Sequence, residues 1–256
     1  MTDLKGKAWL GIIDADSILY RVAAACEDED LETAQDTLRA FLYTNIYSPT
    51  QCKQYVFCLS GGESGRKEKA TTKPYKGQRS KEKPKWLKPL REYLMDEYKA
   101  FAVGNLEADD VVIAIYEKYR GYALLMGIDK DAKQLAGAHY NYVKQQFEVI
   151  TDRDSQRYFF TQMLTGDSVD NIPGVPKVGA KGAEKLFAEN PDTPPAKLVW
   201  DLYKEKGLDW EYYEEQYYLL RMQRDVIYPF EEHFISLEFN AEDVPVGDFE
   251  EEWSEE

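Results

Sequence analysis

Trp9-Leu10-Gly11-Ile12-Ile13-Asp14 is a short apolar run that stops on an acid. Tyr122-Ala123-Leu124-Leu125-Met126-Gly127 repeats the pattern, with Asp129 and Asp131 close behind it. Short runs that are apolar throughout suit strands covered on both faces. Working outward from the first run, residues 17–26 and 31–46 carry helical spacing, and Ser17 is a candidate cap. Residues 54–59 read as a second strand, 87–97 as a helix, 98–103 as a third strand and 106–119 as an amphipathic helix. Beyond the second quoted run, 131–136 reads as a short helix and 139–144 as another strand. Strands that alternate with helices predict an α/β fold, a mainly parallel central sheet with helices on both faces. From Thr151 the strand signals stop, and 154–164, 180–188, 196–206 and 210–224 read as helices. The expected organisation is an α/β core over 1–150 with a basic segment at about 63–91, a helical region over 151–230, and an acidic tail over 231–256.

The bulk properties exclude several classes. In 256 residues with 43% apolar content there is ample core for a globular chain. No run of eighteen apolar residues occurs, so no membrane span is predicted, and the polar start Met1 to Lys7 does not read as a secretory signal. Cys26, Cys52 and Cys58 are sparse, odd in number and without metal-ligand spacing, which fits reduced thiols in a cytosol. His139 and His233 stand alone and give little support to a histidine metal site or a Ser-His-Asp triad. The net charge of −15 argues against a nucleic-acid partner until its distribution is read. Residues 231–256 hold eleven acids and no Lys or Arg, whereas 66–91 hold eleven Lys or Arg against two Glu. A local basic stripe of that kind displaces phosphate counterions whatever the whole-chain balance. On composition alone, a solvated charged loop is the competing reading.

The acids are informative by position. In a parallel α/β sheet, ligands gather beyond the carboxyl ends of the strands. Asp14 ends the first strand, Asp129 and Asp131 follow the fourth, and Glu107, Asp109 and Asp110 open the helix after the third. Glu107 and Asp110 can share a helix face, with Asp109 reaching in from the first turn. Carboxylates packed together raise one another's pKa, and a divalent cation removes that cost. Hard oxygen donors suit Mg²⁺ or Mn²⁺ rather than zinc, and two such ions can serve phosphodiester hydrolysis. Acids at helix N-termini also complement the dipole, which accounts for any one of them but poorly for the set.

A second feature runs Leu164-Thr165-Gly166-Asp167-Ser168-Val169-Asp170-Asn171-Ile172-Pro173-Gly174-Val175 and on through Pro176-Lys177-Val178-Gly179-Ala180-Lys181 to Leu186. Glycines and prolines bracket a tight turn before a helix. Gly179 and the helix start can offer backbone N–H groups to a phosphate, with Lys177, Lys181 and Lys185 on the same side. Such an element grips duplex backbone without reading bases. An ordinary Gly/Pro-rich turn is the alternative.

Together these residues resemble the 5′-nuclease superfamily, the flap endonucleases and 5′→3′ exonucleases of bacteria and bacteriophages, in motif order over roughly residues 9–190. Ile12-Ile13-Asp14 through Tyr20-Arg21 looks like the family's first-strand acid followed by an aromatic and Arg. Tyr75-Lys76-Gly77-Gln78-Arg79 looks like Tyr-Lys-x-x-Arg of its helical arch. Glu107-Ala108-Asp109-Asp110 and Asp129-Lys130-Asp131 match the central metal motifs, and Gly166 to Val175 matches the segment leading into a helix–three-turn–helix at about 167–188. The resemblance implies a PIN-like core with a helical arch, and two Mg²⁺ or Mn²⁺ ions held by Asp14, Glu107, Asp109, Asp110, Asp129, Asp131, Asp167 and Asp170, directly or through water. It implies that Lys76 and Arg79 approach the scissile phosphate as the catalytic pair, and that Tyr75 stacks an unpaired base. It further implies DNA contacts by Arg66, Lys177, Gly174, Val175, Val178, Gly179 and Lys181, with K⁺ in that turn. The implied partners are DNA with 5′ ends, flaps or nicks, and RNA primers in RNA–DNA hybrids, met by a monomer in a bacterial or phage-infected cytosol.

One departure stands out. The family places an Asp after the second strand, several residues before an Arg, and Ser60-Gly61-Gly62-Glu63-Ser64-Gly65-Arg66 contains none. Glu63 substitutes, or Asp16 helps, or one metal site is weak. Two other readings compete with a 5′ nuclease: a DNA-structure-binding protein of the same fold with weak or lost catalysis, and a PIN-like ribonuclease. The acidic tail reads by default as a solvating segment, with a partner-binding segment and a DNA mimic that shields the basic stripe as the alternatives.

Overall fold

The computed structural model describes residues 4–62, 64–78 and 82–222. Glu63, Arg79, His233 and the acidic tail lie outside the described residues. The chain begins with β1 (Leu10–Asp14), α1 (Asp16–Ala25), α2 (Leu31–Leu42), α3 (Ser48–Thr50) and β2 (Gln54–Leu59). Next come α4 (Arg66–Lys69), α5 (Leu87–Tyr98), β3 (Phe101–Ala102), α6 (Ala108–Tyr119) and β4 (Ala123–Met126). The hairpin β5 (Gly137–Asn141) and β6 (Gln146–Ile150) precedes α7 (Asp152–Thr165), α8 (Ala180–Glu189), α9 (Pro195–Glu205) and α10 (Trp210–Leu220).

The strands form one sheet in the order β3-β2-β1-β4-β5-β6. β1 to β5 pair in parallel, and β6 adds to β5 antiparallel. The mainly parallel sheet expected from the alternating pattern is therefore present. The chain winds outward from β1 through β2 to β3, then crosses back to place β4 on the other side of β1. That reversal leaves a crevice beyond the carboxyl ends of β1 and β4, where open α/β sheets bind ligands.

Each face of the sheet has its own core. Ile18, Leu19 and Val22 of α1, Leu38 and Leu42 of α2, and Leu90 and Leu94 of α5 pack on one face against Ile13, Phe57 and Met126. Val111, Val112, Ile115 and Tyr116 of α6 pack on the other against Ile12, Val56 and Leu125. Full burial of each Leu or Ile side chain contributes roughly 1.5–3 kcal/mol, so the strands hold their register against these helices. A third core joins Phe159 and Met163 of α7, Phe187 of α8, Val199 and Tyr203 of α9, and Tyr213 and Leu219 of α10.

Several local expectations are corrected. Ser17 is not a cap: α1 starts at Asp16, and the Ser17 hydroxyl meets the Tyr142 hydroxyl. The second helix does not end at 46, because a π-helical stretch, Tyr43–Tyr47, carries α2 into α3. The third strand shrinks to two residues. The span 131–136 is a 3₁₀ stretch, Lys130–Gln134. The strand expected to reach 144 stops at Asn141, whose side-chain oxygen accepts the Val143 and Lys144 N–H groups and turns the chain. The next strand, β6, escaped the sequence reading because most of its side chains are exposed and no apolar run marks it.

Candidate active site

Asp14 projects from the end of β1, half-buried, and its Oδ1 accepts the Asp16 N–H at 3.1 Å. Burial, then the nearby Asp16 and Asp129 charges, push its carboxyl up to about 7. It lines an open cleft of about 690 Å³ at the β1–β4 reversal, together with Asp16, Lys76, Glu107, Asp109 and Asp129. Acids that lie far apart in the chain thus face one space, as strand-end placement predicts.

The α6 side of the cleft is organised by a guanidinium. Glu107 is the N-cap residue of α6, and one carboxylate oxygen from each of Glu107, Asp109 and Asp110 lies within 4.8 Å of the others. Arg66, 2% exposed, donates to Glu107 Oε2 at 2.6 Å and to both Asp110 oxygens at 2.6 and 2.9 Å. Bidentate pairing of this kind fixes geometry as well as charge. The Lys76 ammonium donates to Glu107 Oε1, and the Tyr75 hydroxyl donates to Glu107 Oε2 at 3.0 Å and to Asp170 Oδ2 at 3.2 Å. Burial raises Glu107, but Lys76 and Arg66 outweigh it and hold the carboxyl low. Asp109 is pushed well up by burial and by Asp110.

Beyond β4, Asp129 caps the 3₁₀ stretch, accepting the Asp131 N–H at 2.9 Å. Asp131 accepts from the Gln162 amide at 2.6 Å, and burial plus the Asp129 and Asp167 charges push it up to about 6. Asp167, 3% exposed, pairs with Lys130 at 2.7 Å. Its Oδ1 also accepts the Val169 N–H at 2.8 Å, and these partners overcome burial to hold it low.

Between α7 and α8 the chain doubles back. Asp167 and Ile172 exchange both backbone hydrogen bonds, at 2.8 and 2.7 Å. Gly166 and Gly174 take positive φ of 69° and 63°, and an added Cβ on either would come within 2.2 Å of the other strand of the turn. Gly179 caps α8 without a side-chain bond at that end.

No family model matches the chain. DNA polymerase I of Bacillus caldotenax is 27% identical over 208 residues, which span 72% of this chain but 24% of the polymerase. Flap endonuclease Xni of Shewanella oneidensis is 27% identical over 193 residues, 69% of this chain and 73% of Xni. In architecture the chain is similar to the bacteriophage T5 D15 flap endonuclease, solved with DNA and metal ions, with a TM-score of 0.57, 19% identity, and coverage of 82% of this chain and 88% of that one. The chain shares its fold with that nuclease, and its sequence is similar to these 5′-nuclease relatives over about 70% of its length.

Within that fold, five expected contacts need correction. Tyr75 offers no face for stacking a base: it is 6% exposed, with its ring in the third core. Arg66 is no surface contact for DNA, because it is buried under Glu107 and Asp110. The N–H groups of Gly174 and Val175 are spent inside the protein, on Gln216 Oε1 at 3.1 Å and on the Leu164 carbonyl at 2.8 Å. The Val178 N–H likewise donates to the Val175 carbonyl at 3.1 Å. Gly179, Lys177 and Lys181 remain exposed. His139 is buried, its Nε2–H donates to the Leu135 carbonyl at 3.0 Å, and burial lowers its pKa to about 4.

The second-strand position is rebuilt around Ser60. Its Oγ accepts the Ala108 N–H at 3.0 Å and so caps α6 from across the sheet. Its N–H donates to Asp16 Oδ2 at 3.0 Å, and its carbonyl accepts from Arg91 at 2.5 Å. Arg91 also pairs with Asp16 at 3.3 Å. Sequence reasoning missed Arg91, Gln162 and Lys130 as partners of the acids. Of these only Gln162 leaves a trace in sequence, as a polar residue three places after Phe159 on the core face of a helix. Among the described residues no helix is long and apolar enough to cross a membrane.

Proposed function

We propose that the chain is a structure-specific 5′ nuclease, a flap endonuclease and 5′→3′ exonuclease that hydrolyses DNA phosphodiesters with divalent metal ions. The observation that carries this reading is the single cleft at the sheet reversal that Asp14, Glu107, Asp109, Asp129 and Lys76 all line. Divalent ions fit the donor set. Every donor is a hard oxygen, and burial pushes up both Asp14, with Asp16 and Asp129 beside it, and Asp109, with Asp110 and Glu107 beside it, so the site carries acidic groups for a cation to offset. Asp14, Glu107, Asp109 and Asp129 would hold one ion, and Asp131, Asp167 and Asp170 the other, with Asp110 acting through Glu107 and Arg66. Bound Mg²⁺ or Mn²⁺ would supply a water nucleophile near neutral pH and charge for the leaving oxygen.

The chain's own residues do the rest. Lys76 lines the cleft and offers its ammonium to a phosphate, leaving Glu107 as it does so. Arg79 would join it from the same segment. Arg66 keeps Glu107 and Asp110 aimed. The exposed start of α8, with Gly179, Lys177 and Lys181, would hold duplex backbone. K⁺ would sit in the turn before it. The organisation proposed is a nuclease core over 1–150, a helical DNA-binding region over 151–230 and an acidic tail over 231–256. Substrates are DNA with 5′ ends, flaps or nicks, and RNA primers in hybrids, acted on by a monomer.

The test is cleavage of a 5′-labelled flap duplex with Mg²⁺, with Mn²⁺ and with chelator. Cleavage near the junction that chelator removes supports the proposal. Tight binding without cleavage in either metal favours the second reading, a DNA-structure-binding protein with weak catalysis. One observation points that way: Ser60 stands where the superfamily places an acid, and its hydroxyl is spent on capping α6.

A further inference from the structure

Glu215 lies on α10, well over a hundred residues from the basic segment, and is 9% exposed. Its carboxylate takes four hydrogen bonds from two consecutive residues of that segment. Oε1 accepts the Thr71 N–H at 2.6 Å and the Thr72 N–H at 2.8 Å. Oε2 accepts the Thr71 hydroxyl at 3.0 Å and the Thr72 hydroxyl at 2.5 Å. Burial opposes the charge, but these donors outweigh it and hold the carboxyl low. A buried carboxylate with four donors is a strong anchor, because releasing it would strand a charge.

The anchored residues lead straight to the cleft. Asn171 donates to the Pro74 carbonyl at 2.9 Å, Tyr75 plugs the third core, and the Lys76 N–H donates to the Asp170 carbonyl at 3.0 Å. Lys76 itself sits at φ 53°, a left-handed conformation that a lysine keeps only where its surroundings impose it. The same helix holds the turn ahead of α8. Gln216 accepts the Gly174 N–H at 3.1 Å, and the Tyr212 hydroxyl donates to the Gly174 carbonyl at 2.7 Å. Adjacent residues of α10 therefore grip the base of the basic segment and the turn proposed to sit against duplex.

We propose that Glu215 is a positioning residue for the reaction: it fixes the stretch 71–76 on α10 and so places Lys76 in the cleft, in register with the turn that Gln216 holds. This rests on the nuclease reading above. The test compares the full chain with Glu215→Ala, Glu215→Gln, Lys76→Ala and the double variant Glu215→Ala/Lys76→Ala in single-turnover cleavage of a flap duplex. Duplex affinity is measured alongside. Glu215→Ala should slow cleavage about tenfold or more with affinity nearly unchanged, on the scale of losing a positioned group. Glu215→Gln, which keeps an acceptor for the N–H groups and a donor for the hydroxyls, should recover most of the rate. The double variant should be no slower than Lys76→Ala, since a residue acting through Lys76 has nothing left to place.

Amide exchange gives a readout free of catalysis: Glu215→Ala should lose protection across residues 71–76 together. If Glu215→Ala does not fold, Thr72→Val removes one donor from the clamp and should slow cleavage a few-fold. An unchanged rate, a multiplicative double variant, or a Lys76 amide that stays protected while Thr71 and Thr72 open would overturn the proposal. No cleavage by the unaltered chain would instead sink the nuclease reading, and the exchange measurement would still decide whether the clamp places Lys76.

Discussion

Two groups of carboxylates, part lining the cleft and part beyond β4, are treated in opposite ways. Glu107 and Asp167 are held low, one by Lys76 and Arg66, the other by Lys130 and backbone N–H groups. Asp14, Asp109 and Asp131 are pushed up, because burial and neighbouring acids dominate around them. The first group carries charge that the protein has already balanced, so its members are held in fixed places. The second holds charge unbalanced, and that is the condition under which a cation gains most by binding. The difference implies that replacing a raised acid should cost function and relieve the fold, whereas replacing a basic partner of the low acids should disturb placement.

The largest effect should come from removing the acids beyond β4, Asp131 of the unbalanced group and Asp129 beside it. Asp129→Ala and Asp131→Ala should each lower metal-dependent cleavage at least about 10³-fold while duplex binding persists, because the chemistry and the grip lie on different elements. Retained turnover in either variant with saturating metal would break the assignment. On the balanced side, Lys76→Ala should lower turnover about 100-fold with little change in affinity. A fall in affinity alone would make Lys76 a phosphate-holding residue, and the charge balance at Glu107 would then matter for binding rather than for rate.

The comparison can also be read in stability. Asp14 has a folded pKa of about 7, above its ordinary 3.8. The stability linked to its protonated form is complete below the ordinary value and is lost as pH rises through about 7. Asn cannot ionise, so metal-free Asp14→Asn should be more stable than the unaltered chain at pH 8 by about 1–3 kcal/mol, or a few degrees in Tm. The gain should vanish as pH falls toward 4. Added Mg²⁺ should then raise the Tm of the unaltered chain more than that of the variant. A gain that ignores pH would mean that Asp14 is already balanced, and the contrast between the two groups would collapse.

How much of this was legible in the sequence follows from what each feature depends on. β1 and β4 were readable because a strand covered on both faces must be apolar throughout, and the acids behind them were readable because they follow such strands. β6 was not, because an edge strand with mostly exposed side chains needs no apolar signal. The acids were found but their partners were not. Arg66 meets Glu107 and Asp110 across 41 and 44 residues, and Gln162 meets Asp131 across 31, so only the closed fold brings them together. Tyr75 shows the limit most clearly. An aromatic inside a basic segment suggests a stacking platform, yet here the ring is the plug that holds the segment down. Composition cannot separate an exposed aromatic from an anchor.

The smallest effect should lie outside the cleft, at Lys181 in the first turn of α8. This lysine is exposed and carries no part of the carboxylate balance, so it provides a control for the contrast within the site. If the α8 start grips duplex backbone, Lys181→Ala removes about one phosphate contact. Binding should weaken a few-fold, equally for unrelated sequences, and the slope of log affinity against log salt should flatten by about one. Cleavage at saturating duplex should stay near that of the unaltered chain, because neither group of acids has lost a partner. An unchanged slope would remove Lys181 from the contact set. A fall in saturated cleavage would mean that grip and chemistry are coupled, which is the role assigned to α10 through Glu215 and Gln216, and the effect should then depend on Glu215.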